Sequence, residues 1–267
     1  MDRLDELESR SLHILREARA RFRKPALLWS IGKDSTTLVW LARKAFLGRI
    51  PFPVLHIDTS HKFAEIYEFR DRRAAEFGLD LIIARNDAAL GEGVGPTAGE
   101  KLACCTRLKT EALKQAIAAH GFEAVILGIR RDEHGIRAKE RYFSPRDEDF
   151  RWDYRNQPAE MWGQYRATGA EGTHVRVHPL LHWTELDVWR YVQREKMPIC
   201  PLYFAKNGKR YRSIGCSSCC EPIASNADTV DKIVEELRGT TTSERAGRAQ
   251  DKESAYTMQK LRALGYM

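Results

Sequence analysis

The chain has 267 residues, with 44 Lys and Arg against 37 Asp and Glu, for a formal net charge of +7. Hydrophobic residues make up 43% and charged residues 30%, which excludes disorder as the main state, and no apolar run is long enough to cross a bilayer. The opening stretch, MDRLDELESR, is acidic and polar with no secretory h-region, so a cytoplasmic location without a membrane partner is expected. In a reducing compartment the six cysteines are better candidates for metal binding or catalysis than for disulfides.

In chain order, residues 2–23 form an amphipathic segment, with Leu4, Leu7, Leu12, Ile14 and Leu15 set against charges. The apolar runs 26–31, 52–57, 79–84 and 124–129 predict buried strands. Between them, residues 36–46, 62–77 and 107–120 carry apolar positions at three- and four-residue spacing and predict helices. This alternation implies βαβ units and an α/β fold with a parallel sheet covered on both faces. Residues 130–155 hold 8 basic and 7 acidic residues, a texture that fits either a solvated loop or a substrate site beside the sheet. A last core strand is expected at 175–181. Thr184 followed by Asp187 predicts a capped helix to about residue 194, and a further helix is expected at 230–237.

The clearest chemical signal is Ser30-Ile31-Gly32-Lys33-Asp34-Ser35, placed directly after a strand and before a helix. Successive backbone N–H groups and a helix N-terminus converge in such a loop, making it an anion site. Gly32 admits close approach of a phosphate, Ser30 and Ser35 offer hydroxyls, and Lys33 offers charge. The loop is not a Walker A sequence, and no G-x-G-x-x-G fingerprint follows any strand. A capped turn with a chance Gly-Lys pair is the plainer alternative.

The S-x-G-K-D-S run resembles the PP-loop of ATP pyrophosphatases, which cleave ATP between the α and β phosphates. The segments PFPVLHIDTSHKFAEIYEFRDRRA, GIRRDEHGIRAKERYFSPRD, RVHPLLHWTELDVWRYV and TTTSERAGR extend the likeness to the phosphoadenylylsulfate reductase family, small sulfate adenylyltransferase subunits included. The resemblance implies an adenine nucleotide alpha hydrolase-like, Rossmann-like domain over residues 1–200, with a C-terminal appendage at 201–267. It implies that Ser30, Gly32, Lys33, Asp34 and Ser35 bind the pyrophosphate of ATP with Mg²⁺ alongside. Asp58, Gly128 and Asp132 are expected on the same nucleotide-binding rim, and Arg130 and Arg131 beside Lys33 and Asp34 as catalytic groups. Arg137, Lys139 and Arg141 either extend the anion site or form an exposed mixed-charge face.

Cys104-Cys105 and the later Cys216-x-x-Cys219 resemble the iron–sulfur ligand set of adenylylsulfate reductases, implying a 4Fe–4S cluster, with zinc as the alternative. Cys220 is left as a spare thiol and Cys200 as a packing residue. No cysteine follows Cys220, which separates the chain from reductases that attack with a C-terminal cysteine. The expected function is therefore ATP cleavage driving sulfur insertion, into DNA as in phosphorothioation systems, with a cysteine desulfurase or other sulfur donor. The stretch 206–212, with 4 basic residues in 7, fits a nucleic-acid partner. The alternative is a sulfate adenylyltransferase small subunit working with a GTPase large subunit, and a third is a non-enzymatic nucleotide- or redox-sensing module.

Overall fold

The computed structural model describes residues 2–97, 101–133, 135–157, 159–161, 164–165, 174–242 and 244. Asp2 opens the first helix, α1 (Arg3–Arg21), through a reciprocal capping box with Asp5, and α1 buries Leu7, Ile14, Leu15 and Ala18. Strand β1 (Pro25–Leu28) is buried throughout and feeds helix α2 (Lys33–Ala45). Strand β2 (Val54–Ile57), helix α3 (Ala64–Phe77) and strand β3 (Leu81–Ala84) complete the first half of the sheet.

Two short helices follow, α4 (Asp87–Gly91) and α5 (Lys101–Cys105). A π-helical turn over Thr106–Glu111 then leads into α6 (Ala112–His120) and strand β4 (Ala124–Ile126). Next come β5 (Phe143–Arg146), β6 (His174–Val177) and helix α7 (Glu185–Glu195), which Thr184 and Asp187 cap as the sequence predicts. Beyond α7 lie a small hairpin of β7 (Lys209–Arg210) with β8 (Ile223–Ala224), and helix α8 (Val230–Arg238).

The six-stranded sheet runs β3-β2-β1-β4-β6-β5, parallel except for the edge strand β5. The chain leaves β1 outward through β2 and β3, then returns to β4 on the other side of β1. The strand order therefore reverses between β1 and β4, and a crevice opens beyond their carboxyl ends, where ligands bind in open α/β sheets. One apolar cluster fills both layers. It joins Leu27, Leu41, Val125 and Val177 to Tyr203, Ile214 and Val234 from beyond residue 200.

Several predicted elements are shorter or displaced. The strands predicted at 26–31 and 124–129 make their last ladder bonds from the Trp29 and Leu127 amides, because the residues beyond build the loops at the crevice. Those predicted at 52–57, 79–84 and 175–181 pair only over Val54–Ile57, Leu81–Ala84 and His174–Val177. Helix α2 starts at Lys33, earlier than the predicted 36, since Lys33, Asp34 and Ser35 form its first turn. The helix predicted at 107–120 is broken by the π-helical turn, which brings Lys109 into the cavity wall. The mixed-charge stretch 130–155 is not simply a solvated loop: it contains β5 and buries Arg130, Arg137, Glu140 and Arg146. Glu140 meets Arg146 at 2.9 Å, so each buried charge has a partner.

Candidate active site

The loop after β1 turns sharply at Ile31, a β-branched residue held at φ 70°. That conformation is costly for such a side chain and is tolerated where the surroundings enforce it. Ile31 is fully buried, so packing supplies the enforcement. Gly32 then caps α2 without a side-chain bond, leaving the first amides of the helix facing the crevice. Ser30 Oγ and Ser35 Oγ lie 3.0 Å apart, and Ser35 Oγ also donates to the Gly32 carbonyl at 3.1 Å. Beneath them Trp29 Nε1 donates to Thr36 Oγ1 at 3.1 Å and fixes the helix to the strand.

Gly128, just past β4, closes the other wall. A Cβ there would sit 3.0 Å from the carbonyl carbon and oxygen of Asp34 and from the Ser35 nitrogen. Only glycine lets the two backbones approach this closely. The resulting cavity, of about 150 Å³, is lined by Ser30, Gly32, Lys33, Asp34, Ser35 and Gly128 among others. Six residues that the sequence singles out are thus brought to one place.

The cavity carries buried cations. Lys33 Nζ lies 3.1 Å from Asp34 Oδ2 and also bonds Glu244. Arg130, fully buried behind the wall, bonds Asp34 and Glu244, and its Nε donates to Asp132 Oδ1 at 2.9 Å. Burial works to lower the pKa of both cations, but Asp34 and Glu244 outweigh it, so both are raised and stay charged. Burial likewise works to raise the Glu244 pKa, and Arg130 and Lys33 reverse it, leaving an ionised carboxylate. Lys62, also in the wall, is lowered to about 7 by burial, with Cys216 and Asp58 opposing.

The remaining predicted residues are dispersed. Asp132 stands behind the wall, where its Oδ2 accepts the Glu185 N–H at 2.8 Å and ties Arg130 to the start of α7. Asp58 accepts from the Tyr67 hydroxyl at 2.8 Å and lines a different surface depression. Arg131 turns away from the phosphate loop to His182 and the Glu140 carbonyl, lining a second cavity of about 900 Å³ with Arg141. Arg137 lines the first cavity, whereas Lys139 lies over the Tyr154 ring at 4.4 Å.

Sequence reasoning missed Tyr203, whose buried hydroxyl accepts the Lys33 N–H at 2.9 Å, and it missed the cavity positions of Lys62, Lys109 and Cys216. No local pattern marks Tyr203, Lys62 or Lys109, and the Cys-x-x-Cys pattern that marks Cys216 does not tell of the cavity. Glu244 was within reach, since it lies in the TTTSERAGR segment already quoted for its likeness.

The predicted four-thiolate ligand set is not assembled. Among the described residues no group of three or more His, Cys, Asp or Glu side chains could hold a metal ion. All six cysteines are buried and none is in a disulfide. Cys216 and Cys219 direct their thiols at each other, and Cys104 neighbours Cys105 and Cys216 electrostatically. The expected 4Fe–4S cluster or zinc ion thus finds no support among the described residues.

The fold is that of an adenine nucleotide alpha hydrolase-like α/β domain. It is similar to Candida glabrata FMN adenylyltransferase in complex with ATP, with a TM-score of 0.58 at 17% identity over 97% of this chain and 80% of that one. It is also similar to phosphoadenylyl-sulfate reductase from Candida auris, with a TM-score of 0.52 at 18% identity over 76% and 91%. Residues 24–222 match the phosphoadenosine phosphosulfate reductase domain, and the chain belongs to that family. Among its relatives, it is 44% identical to sulfate adenylyltransferase subunit 2 of Rhodospirillum rubrum over the whole of both chains. It is also 44% identical to the protein of the same name from Rhodopseudomonas palustris strain BisB18, over 98% of this chain and 89% of that one.

These full-length relatives overturn the expectation of sulfur insertion into DNA. The cysteine pattern that suggested it does not form a ligand group, and a DNA partner and a cysteine desulfurase lose their support with it. Among the described residues no helix is long and apolar enough to cross a membrane.

Proposed function

We propose that the chain is the ATP-cleaving small subunit of a sulfate adenylyltransferase, acting with a GTPase large subunit. The observation that carries this reading is the end-to-end likeness to sulfate adenylyltransferase subunit 2. The buried Lys33–Arg130 pair at the phosphate loop supports it. A sulfate oxygen attacks the α-phosphorus of ATP, the α–β bridging bond breaks, and pyrophosphate leaves as adenylylsulfate forms. Gly32, Ser30, Ser35 and the first amides of α2 hold the departing phosphates, and Lys33 and Arg130 offset the charge that grows on them.

Mg²⁺ bound with ATP would neutralise phosphate charge, and Asp34 is the carboxylate that would hold it. Asp132 positions Arg130, and Gly128 positions the helix start. Arg131 and Asp58, facing other cavities, act on this site only through neighbours. Beyond residue 200, Tyr203, Cys216 and Glu244 line the cavity opposite the phosphate loop.

The test is sulfate-dependent pyrophosphate release from ATP by the chain together with its large subunit. Release is expected with sulfate present, and Lys33→Ala should reduce it at least 100-fold, about 3 kcal/mol of lost stabilisation. Failure to release pyrophosphate with sulfate, or full activity in Lys33→Ala, overturns the reading.

A further inference from the structure

Cys216 and Cys219 stand at either end of a single turn. The turn Ser217–Cys219 is a short 3-10 segment, and the Cys219 N–H donates to the Cys216 carbonyl at 3.0 Å. The two thiols interact across this turn. Cys216 is buried, yet it lines the cavity at the phosphate loop, which gives it a route to solvent.

The turn is anchored from outside. Lys62 and Cys216 form an isolated antiparallel bridge, and the Ser217 N–H donates to the His61 carbonyl at 2.8 Å. Thr59 Oγ1 lies 3.2 Å from Cys216 Sγ. The hydrogen bond with Cys219 lowers the Cys216 pKa, Lys109, Thr59 and Lys62 add to it, and burial opposes. The same bond, with burial, raises that of Cys219. Two cysteines three residues apart across one closed turn, one of them reaching a cavity, form the Cys-x-x-Cys arrangement used in thiol–disulfide exchange.

We propose that Cys216 and Cys219 form a redox-active dithiol in the wall of the nucleotide cavity, oxidised by small disulfides such as oxidised glutathione and shielded from them by bound ATP. The shielding rests on the proposed reading of the cavity as the ATP site; the dithiol does not.

The Cys216 thiolate attacks one sulfur of oxidised glutathione, the S–S bond breaks, and one glutathione thiolate leaves and takes up a proton. The Cys219 sulfur then attacks Cys216 Sγ as its own proton passes to the second departing glutathione. Two protein thiols are oxidised to one disulfide, and one glutathione disulfide is reduced to two thiols. Transient bridges of this kind are the ones found in reducing compartments. Bound ATP fills the cavity and sets phosphate charge against the anionic glutathione.

The experiment treats reduced full-length protein with oxidised glutathione, with and without saturating MgATP, and maps cysteine linkages by mass spectrometry. ATP binding and metal content are measured on the same preparation. A single Cys216–Cys219 bridge is expected, formed at least tenfold more slowly with ATP and reversed by dithiothreitol. Cys219→Ser should trap one glutathione on Cys216, and Cys220→Ser should behave as the parent protein.

Cys216 and Cys219 remaining unlinked, adducts falling on Cys104 or Cys105 instead, or stoichiometric iron or zinc shielding the pair would each overturn the dithiol. Equal rates with and without ATP in a protein that binds ATP would overturn the shielding. A bridge formed in a protein unable to bind ATP removes the nucleotide reading and leaves the dithiol standing.

Discussion

The carboxylate of Glu244 sits between Lys33 and Arg130, bonded to both, at the mouth of the phosphate loop. An anion already occupies the position at which the loop's charge is aimed. A phosphate reaching Lys33 and Arg130 must compete with that carboxylate or displace it.

Glu244→Gln removes the competing charge and keeps the shape. ATP should then bind about 5- to 30-fold more tightly, corresponding to about 1–2 kcal/mol, when titrated calorimetrically. The nucleotide-free protein should melt at a lower temperature, because two buried cations lose a counter-charge. Weaker ATP binding in the variant would show instead that Glu244 orients the cations for phosphate.

Gly128→Ala places a methyl group 3.0 Å from three backbone atoms of Asp34 and Ser35, none of which can swing aside. Overpacking of this kind costs about 1–3 kcal/mol. Since the displaced segment is the start of α2, ATP affinity should fall along with the melting temperature. Unchanged values of both would show that the two backbones separate freely.

Tyr203→Phe strips the acceptor from the Lys33 N–H. An unsatisfied buried amide costs about 1–3 kcal/mol, so the nucleotide-free protein should be destabilised. ATP can supply a phosphate oxygen in its place, and the rise in melting temperature on adding ATP should exceed that of the parent. An equal or smaller rise would mean that this amide does not meet the nucleotide.

His56, His174 and His178 are buried, and burial together with neighbouring cations lowers all three, His174 to about 2. Their folded pKa lies below the unfolded value near 6.5, so the unfolded chain takes up these protons first. Their contribution to stability is full above pH 6.5 and declines as the pH falls below it. Urea midpoints should drop between pH 7 and 5, by up to about 2 kcal/mol per histidine at pH 5. His174→Phe, which cannot take up a proton in either state, should flatten the slope; an unchanged slope would count against His174 as a source.

Strand–helix alternation in the sequence led directly to the parallel sheet, because buried parallel strands read as apolar runs and their crossover helices as amphipathic ones. The edge strand β5 escaped notice: Phe143–Arg146 contains proline and arginine, and its arginine is buried only because Glu140 meets it. The phosphate loop was legible because its residues are contiguous and its chemistry is local. Tyr203 was not, and the cysteine group was marked without its place in the cavity, since both reach the cavity from distant positions.

By itself the sequence determined the α/β class, the anion-binding loop and the set of reactive residues, all properties of short segments with their own periodicity or chemistry. Only the tertiary structure decided which of those residues share a cavity. It brought Lys33, Arg130 and Glu244 together, turned Arg131 and Asp58 elsewhere, and put Cys216 in the wall of the same cavity as Lys33. Chain reversal between β1 and β4 and packing around one core make those choices, and neither is written in any local stretch of chain. Of the six cysteines, the fold brings Cys216 into the wall of the cavity beside the phosphate loop.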